Sequence, residues 1–184
     1  LDWRGQPFVR AVARVALEAG LQPVLVITGA YADQVEDALT GLPVQILRNP
    51  DWMEGQATSM RTAVHSLLGP PAPEVQSARG RAGSAIFLLV DQPQMTVSIL
   101  KALAETHTLN LQPVVAPLVL DRRANPVLFD RATFPQLLQL QGDVGGRGVF
   151  DKYRVEYLPW HDDRLLLDVD TPEQYKRLVE DETL

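Results

Sequence analysis

Apolar positions along this chain fall into helical and strand-like spacings that alternate from one end to the other. Phe8, Val9, Val12, Val15, Ala16 and Leu17 recur at helical spacing behind Pro7, a residue tolerated in a first helical turn, and Gly20 supplies the stop. Residues 23–28 then read as a buried strand, 32–39 as an amphipathic helix and 44–47 as a second short strand. A polar loop over 49–55 leads into a helix over 57–68, carried by Met60, Ala63, Val64 and Leu67. Residues 69–84 are rich in proline, glycine and small side chains and read as a mobile surface loop. Beyond it the alternation resumes, with strands expected at 85–90, 113–120, 127–129, 155–158 and 165–169, and helices at 97–106, 131–140 and 171–179. Such alternation predicts an α/β protein with a mostly parallel sheet between two helical layers.

Composition narrows the picture. The 184 residues predict one domain over 1–184, with enough chain to bury a full core. No run of about 18 apolar residues is present, so no membrane span is expected. A net charge of −6 argues against nucleic acid as a partner. The absence of cysteine excludes disulfides, thiolate metal sites and a cysteine nucleophile, and is consistent with a cytoplasmic protein. His65, His107 and His161 lack metal-ligand spacing.

Four polar clusters fall where an α/β sheet places its ligands, at strand ends and helix starts. Asp91, in Leu88-Leu89-Val90-Asp91-Gln92-Pro93, ends an apolar run at a proline that cannot continue a central strand. It is either a magnesium ligand or a solvated, capping carboxylate. In Asn49 to Ser59, Gly55 permits close backbone approach ahead of a helix, and Thr58 and Ser59 offer hydroxyls; simple N-capping is the alternative. Gly142-Asp143-Val144-Gly145-Gly146-Arg147 is a glycine-rich turn whose arginine can pair with a phosphate or carboxylate, although a plain turn needs the same glycines. In Leu167-Asp168-Val169-Asp170-Thr171-Pro172-Glu173, alternation turns Asp168 and Asp170 to one side, just before a helix opening. Either carboxylate can join Asp91 in holding a metal, or both are solvated.

Taken in order, these motifs resemble the molybdenum cofactor cytidylyltransferases and their relatives among the nucleotidyltransferases. The likeness spans the chain: L-x-W-x-G-x-P at the start, N-P-x-W-x-x-G-x-x-x-S at 49–59, D-Q-P at 91–93, N-P-V-L-F at 125–129, G-D-x-G-G-R at 142–147 and D-V-D-T-P-E at 168–173. The resemblance implies a three-layer, Rossmann-like nucleotidyltransferase fold and transfer of CMP from CTP to molybdopterin cofactor, with release of pyrophosphate. It implies Mg2+ held by Asp91 with Asp168 or Asp170, nucleotide contacts at Gly55, Ser59 and Asp91, and pterin contacts at Asn125, Gly145, Gly146 and Arg147. Nucleoside triphosphate and pterin cofactor are then the small-molecule partners, and a molybdoenzyme or its insertion chaperone a protein partner. GTP, a sugar or alcohol phosphate acceptor, or a non-catalytic cofactor carrier are the alternatives. Family members also carry a strand and loop of the form L-A-A-G-x-S-x-R-M-G-x-x-K ahead of the position matched by Leu1. That strand is expected beside the Asp91 strand, and no transferase activity is expected without it.

Overall fold

The computed structural model describes residues 1–69 and 83–180. Nearly all of the loop expected over 69–84, with Arg79 and Arg81, lies outside the described residues.

The chain opens with a hairpin that hydrophobic periodicity cannot reveal, because its strands have two residues each. β1 (Asp2–Trp3) and β2 (Gln6–Pro7) pair antiparallel around Arg4 and Gly5, with φ of 52° and 73°. A two-residue loop with both φ positive matches the twist of its strands. α1 (Phe8–Glu18) follows and buries Phe8, Val9, Ala11, Val12, Ala13 and Ala16. β3 (Leu25–Thr28) runs parallel to β4 (Gln45–Arg48), with α2 (Ala32–Ala38) crossing between them.

After α3 (Gln56–Leu68), a second sheet forms from β5 (Ser84–Phe87), β6 (Val114–Val119), β7 (Arg122–Arg123), β8 (Val127–Asp130) and β9 (Val155–Pro159). β8 lies between β5 and β6 and is antiparallel to both, β7 folds back on β6, and β9 is parallel to β6. The α/β class is therefore as expected, but this five-stranded sheet is mixed instead of mostly parallel.

Alternate residues of the central strands feed two cores. Val114, Ala116, Val127 and Phe129 pack with Met60 and Val64 of α3, with Phe134 and Leu137 of α5 (Phe134–Leu137), and with Val149. Val115, Val119 and Leu128 face Ile99, Leu100 and Leu103 of α4 (Val97–Asn110) and Ala16 of α1. The period of two along β6 and β8 thus sets helices on both faces, giving three layers. α6 (Pro172–Glu180) closes the chain against the first hairpin, where Leu178 meets Trp3 and Phe8.

β3 and β5 share no ladder. Between them lies a cavity of about 680 Å³, bordered by Leu25, Val26, Ile27, residues 84–90, and Val12 and Ala16 of α1. Strands read as covered on both faces are therefore only half-buried along this edge. The strand expected over 85–90 ends at Phe87, because β8 supplies a ladder only as far as Val127. No strand forms over 165–169: Asp163–Leu166 is a 3-10 turn, and Val169 makes one backbone bond, its N–H donating to the Asp91 carbonyl at 3.0 Å. The helix expected over 131–140 is a 3-10 turn (Arg131–Thr133), capped by Asp130, followed by the single turn of α5. No helix among the described residues is long and apolar enough to cross a membrane.

Candidate functional site

Asp91 lies in a turn four residues past the last residue of β5, and two buried glutamines fix what faces it. Gln92 Nε2 donates to Asp168 Oδ1 at 2.6 Å and to the Leu165 carbonyl at 3.3 Å. Gln94 Nε2 donates to the carbonyls of Arg164 and Leu167 at 2.9 and 2.7 Å. With the Val169–Asp91 backbone bond, these contacts stitch the turn after β5 to residues 164–169, which a ladder would otherwise have to do. Asp168 and Asp170 are thereby held within electrostatic reach of Asp91. Burial raises the Asp91 carboxyl from the ordinary carboxylate range to about 6, and repulsion from Asp168 and then Asp170 adds to it. Its Oδ1 is buried without a hydrogen-bond partner. Sequence reasoning missed the roles of Gln92 and Gln94. The available signal was two amides flanking Pro93 directly after an apolar run, a place where a buried amide must find partners.

This cluster fits a divalent cation. It offers oxygen donors only, one buried oxygen lacks any partner, and the like charges repel until a cation offsets them. Among the described residues no three His, Cys, Asp or Glu side chains lie together closely enough to hold a metal ion. A cation here would accordingly take part of its shell from a ligand's phosphates and from water.

The second group is built around Asn49, which is 3% exposed. Its Nδ2 donates to Thr58 Oγ1 at 2.7 Å and Ser59 Oγ at 3.0 Å, and its Oδ1 accepts the Asp51 N–H. Both hydroxyls at the start of α3 are thus oriented from beneath, and Ser59 borders the cavity. Gly55 has φ +104°, and a Cβ there would collide with the Gly142 carbonyl and lie 2.7 Å from Asp143 Oδ1. The Ala57 N–H donates to that same carbonyl at 3.0 Å. The glycine at 55 serves the seating of the 142–143 loop on α3, and one of the amides expected to be free for a ligand is already engaged.

Gly145, Gly146, Arg147 and Asn125 border the same cavity as Ser59. A Cβ at Gly145 would meet only the end of the Gln56 side chain, which can turn aside, whereas one at Gly146 would lie 2.5 Å from Phe129 Cζ, so close packing demands the glycine at 146. Arg123 borders this cavity as well and was not singled out in the sequence. The structure therefore brings Ser59, Asn125, Gly145, Gly146 and Arg147 to one cavity, and sets Asp168 and Asp170 within electrostatic reach of Asp91. Val90, which also borders the cavity, joins the two.

A mixed sheet between helices, with carboxylates past a strand end beside an open cavity, is the arrangement in which an open α/β sheet takes a ligand at its edge. The sequence profile of the MobA-like NTP transferase domain matches residues 1–158, and the chain belongs to that family. It is a nucleotidyltransferase of the MobA-like type. It is also similar to a nicotine blue oxidoreductase of Paenarthrobacter nicotinovorans, at 29% identity over 97% of this chain and 86% of that protein. Among solved structures, the Rv0371c protein of Mycobacterium tuberculosis H37Rv, in complex with manganese, matches with a TM-score of 0.78 and 24% identity over 98% of this chain and 89% of its own. A CMP:2-keto-3-deoxy-manno-octonic acid synthetase complexed with CTP matches with a TM-score of 0.74 and 14% identity over 100% of this chain and 91% of its own. The two structural matches are likenesses of fold.

Proposed function

We propose that the protein transfers the CMP group of CTP to the terminal phosphate of molybdopterin cofactor, with Mg2+ bound at Asp91 and Asp168 or Asp170. The observation that carries this reading is the buried, unpartnered Asp91 Oδ1, on a carboxyl raised to about 6 beside two further carboxylates. The motifs at 125–129 and 142–147 support the pterin acceptor, and the motif at 49–59 the nucleotide. A fold shared with a synthetase that was solved with CTP supports the nucleotide.

In the reaction, an acceptor phosphate oxygen bonds to the α-phosphorus of CTP. The bond from that phosphorus to the α–β bridging oxygen breaks, and pyrophosphate leaves with the electron pair. Such chemistry depends on positioning and charge neutralisation more than on covalent catalysis. Bound Mg2+ supplies the neutralisation of phosphate charge. Asp91 and its carboxylate partner would hold the cation, and Gln92 restrains Asp168 by donating to its Oδ1. Ser59, oriented by Asn49, lies against the nucleotide with Gly55 as the hinge of that loop. Asn125, Gly145, Gly146 and Arg147 receive the acceptor, with Arg147 pairing to its negative charge.

The relative named as an oxidoreductase supports a second reading, reduction of a conjugated ring compound at the same cavity. The carboxylate cluster favours transfer, since hydride delivery has no need of a divalent cation. The deciding experiment measures pyrophosphate release by the full-length protein with Mg2+, molybdopterin cofactor and each nucleoside triphosphate in turn. Release with CTP is expected. Release with GTP alone would change the base, and no release with any nucleoside triphosphate would overturn the transferase reading.

A further inference from the structure

We infer that Arg123 is an anion-binding residue of the acceptor side, held in place by the face of Phe150 and acting with Arg147 on a phosphate group of the substrate. The inference deepens the transferase reading and rests on it only for which substrate carries that phosphate.

The argument starts from the turn that presents Arg123. β6 and β7 form a tight hairpin in which Leu118 faces Arg123, and Leu120 and Asp121 take φ of 48° and 59°. Two consecutive positive φ values fix the hairpin's register, so Arg123 and not Arg122 borders the cavity. The Arg123 guanidinium carbon stands 4.0 Å from the centroid of the Phe150 ring. Stacking on a ring face restrains a long side chain while leaving the N–H edge of its planar fork available. Phe150 itself is buried and cannot follow Arg123 if the arginine moves.

Phe150 is braced in turn. Its ring meets Phe129 edge-on at 6.1 Å, and Phe129 meets Phe87 in the same manner at 5.7 Å. Gly146 packs so closely on Phe129 that a Cβ there would overlap the ring. One aromatic pillar therefore carries Arg123 on Phe150 and supports, at Phe129, the turn that ends in Arg147. Among the described residues neither arginine has a carboxylate partner, although Asp143 borders the same cavity. Both guanidinium groups border the cavity and both are exposed, so each can turn its fork to an anion held there. A phosphate matches the paired N–H donors of an arginine fork better than a single-point acceptor does.

That phosphate has two sources, the acceptor and the triphosphate. The acceptor is favoured because Asn125 and Gly145, which the reading above gives to the acceptor, flank the two arginines in sequence, whereas the carboxylate cluster suited to the nucleotide's cation lies past β5. Phe150 is on this view a positioning residue, touching no substrate.

The test has two arms. In the first, inorganic phosphate is titrated into the full chain at low salt without nucleotide, and the side-chain Nε–H resonances of Arg123 and Arg147 are followed by NMR. Both are expected to shift saturably. Arg123→Ala should weaken phosphate binding at least tenfold, the scale of a lost charge-assisted hydrogen bond. Arg123→Lys, which keeps the charge without the fork, should fall between, and Arg122→Ala should stay within about twofold, because Arg122 does not border the cavity. Equal affinity in wild type and Arg123→Ala would overturn the inference whether or not the transferase reading stands.

In the second arm, KM is measured separately for acceptor and nucleotide. Arg123→Ala should raise KM for the acceptor at least tenfold and leave that for the nucleotide within about twofold. Phe150→Leu, which keeps apolar volume but removes the ring face, should raise acceptor KM less and spare nucleotide KM. A rise confined to nucleotide KM would overturn the acceptor assignment. Absence of any transfer by wild type would count against the transferase reading, while the phosphate titration would still decide on Arg123.

Discussion

Burial and two neighbouring carboxylates keep a proton on Asp91 up to about pH 6 in the folded chain, whereas an unfolded aspartate loses it near pH 3.9. The folded state therefore binds the extra proton between those values. Stability from this group is fully present below about pH 4 and is lost as pH rises toward 6. In the absence of metal, the Tm of the wild type should fall relative to that of Asp91→Asn between pH 4 and 7, and Mg2+ or Mn2+ should restore it. A constant Tm difference across that range would remove the electrostatic account. The same substitution should lower turnover by roughly 10²-fold or more, the scale of losing one preorganised electrostatic group. Asp91 was legible as a candidate from its strand-end position. The raised pKa was not, since it depends first on burial of the carboxyl in the folded chain and then on Asp168 and Asp170 being drawn alongside.

At the scale of elements, the glycines show how a motif can be read correctly and for an incomplete reason. Gly55 opens α3, as its spacing predicts, but the space it leaves is filled by the 142–143 loop. Gly55→Ala should cost about 1–3 kcal/mol for the left-handed backbone alone, with the clash against Gly142 added to that. Gly20 also has positive φ (+80°) but open space around it, so Gly20→Ala should cost only the backbone term. Denaturant melts of the two variants check the difference, and equal losses would mean that the loop shifts freely on α3. The helices α1, α3, α4 and α6 were legible because each repeats an apolar face over two or more turns. The hairpin β1–β2 was not, because segments of two residues carry no period, and the helix expected over 131–140 and the strand expected over 165–169 were read longer or more regular than they are.

Across the whole molecule, β6 and β8 are buried on both faces, while β3 and β4 are joined to each other alone and β3 borders the cavity. Local opening follows such differences in burial. Native-state hydrogen exchange should find the amides of Val114, Val115, Leu128 and Phe129 most protected, with Leu25 to Thr28 exchanging through a cheaper, partial opening. Equal protection in the two sheets would contradict this. The alternation of apolar periods by itself determined the α/β class, the order of most helices and strands, and the positions of Asp91, Asp168 and Asp170 near element ends. Those features depend on neighbours along the chain. The mixed direction of the sheet, the separation of β3 from β5, the drawing together of three aspartates and the pairing of Arg123 with Phe150 were decided only in three dimensions. Each depends on contacts between residues far apart in sequence, and the period of a segment records which face it buries, not what it is buried against.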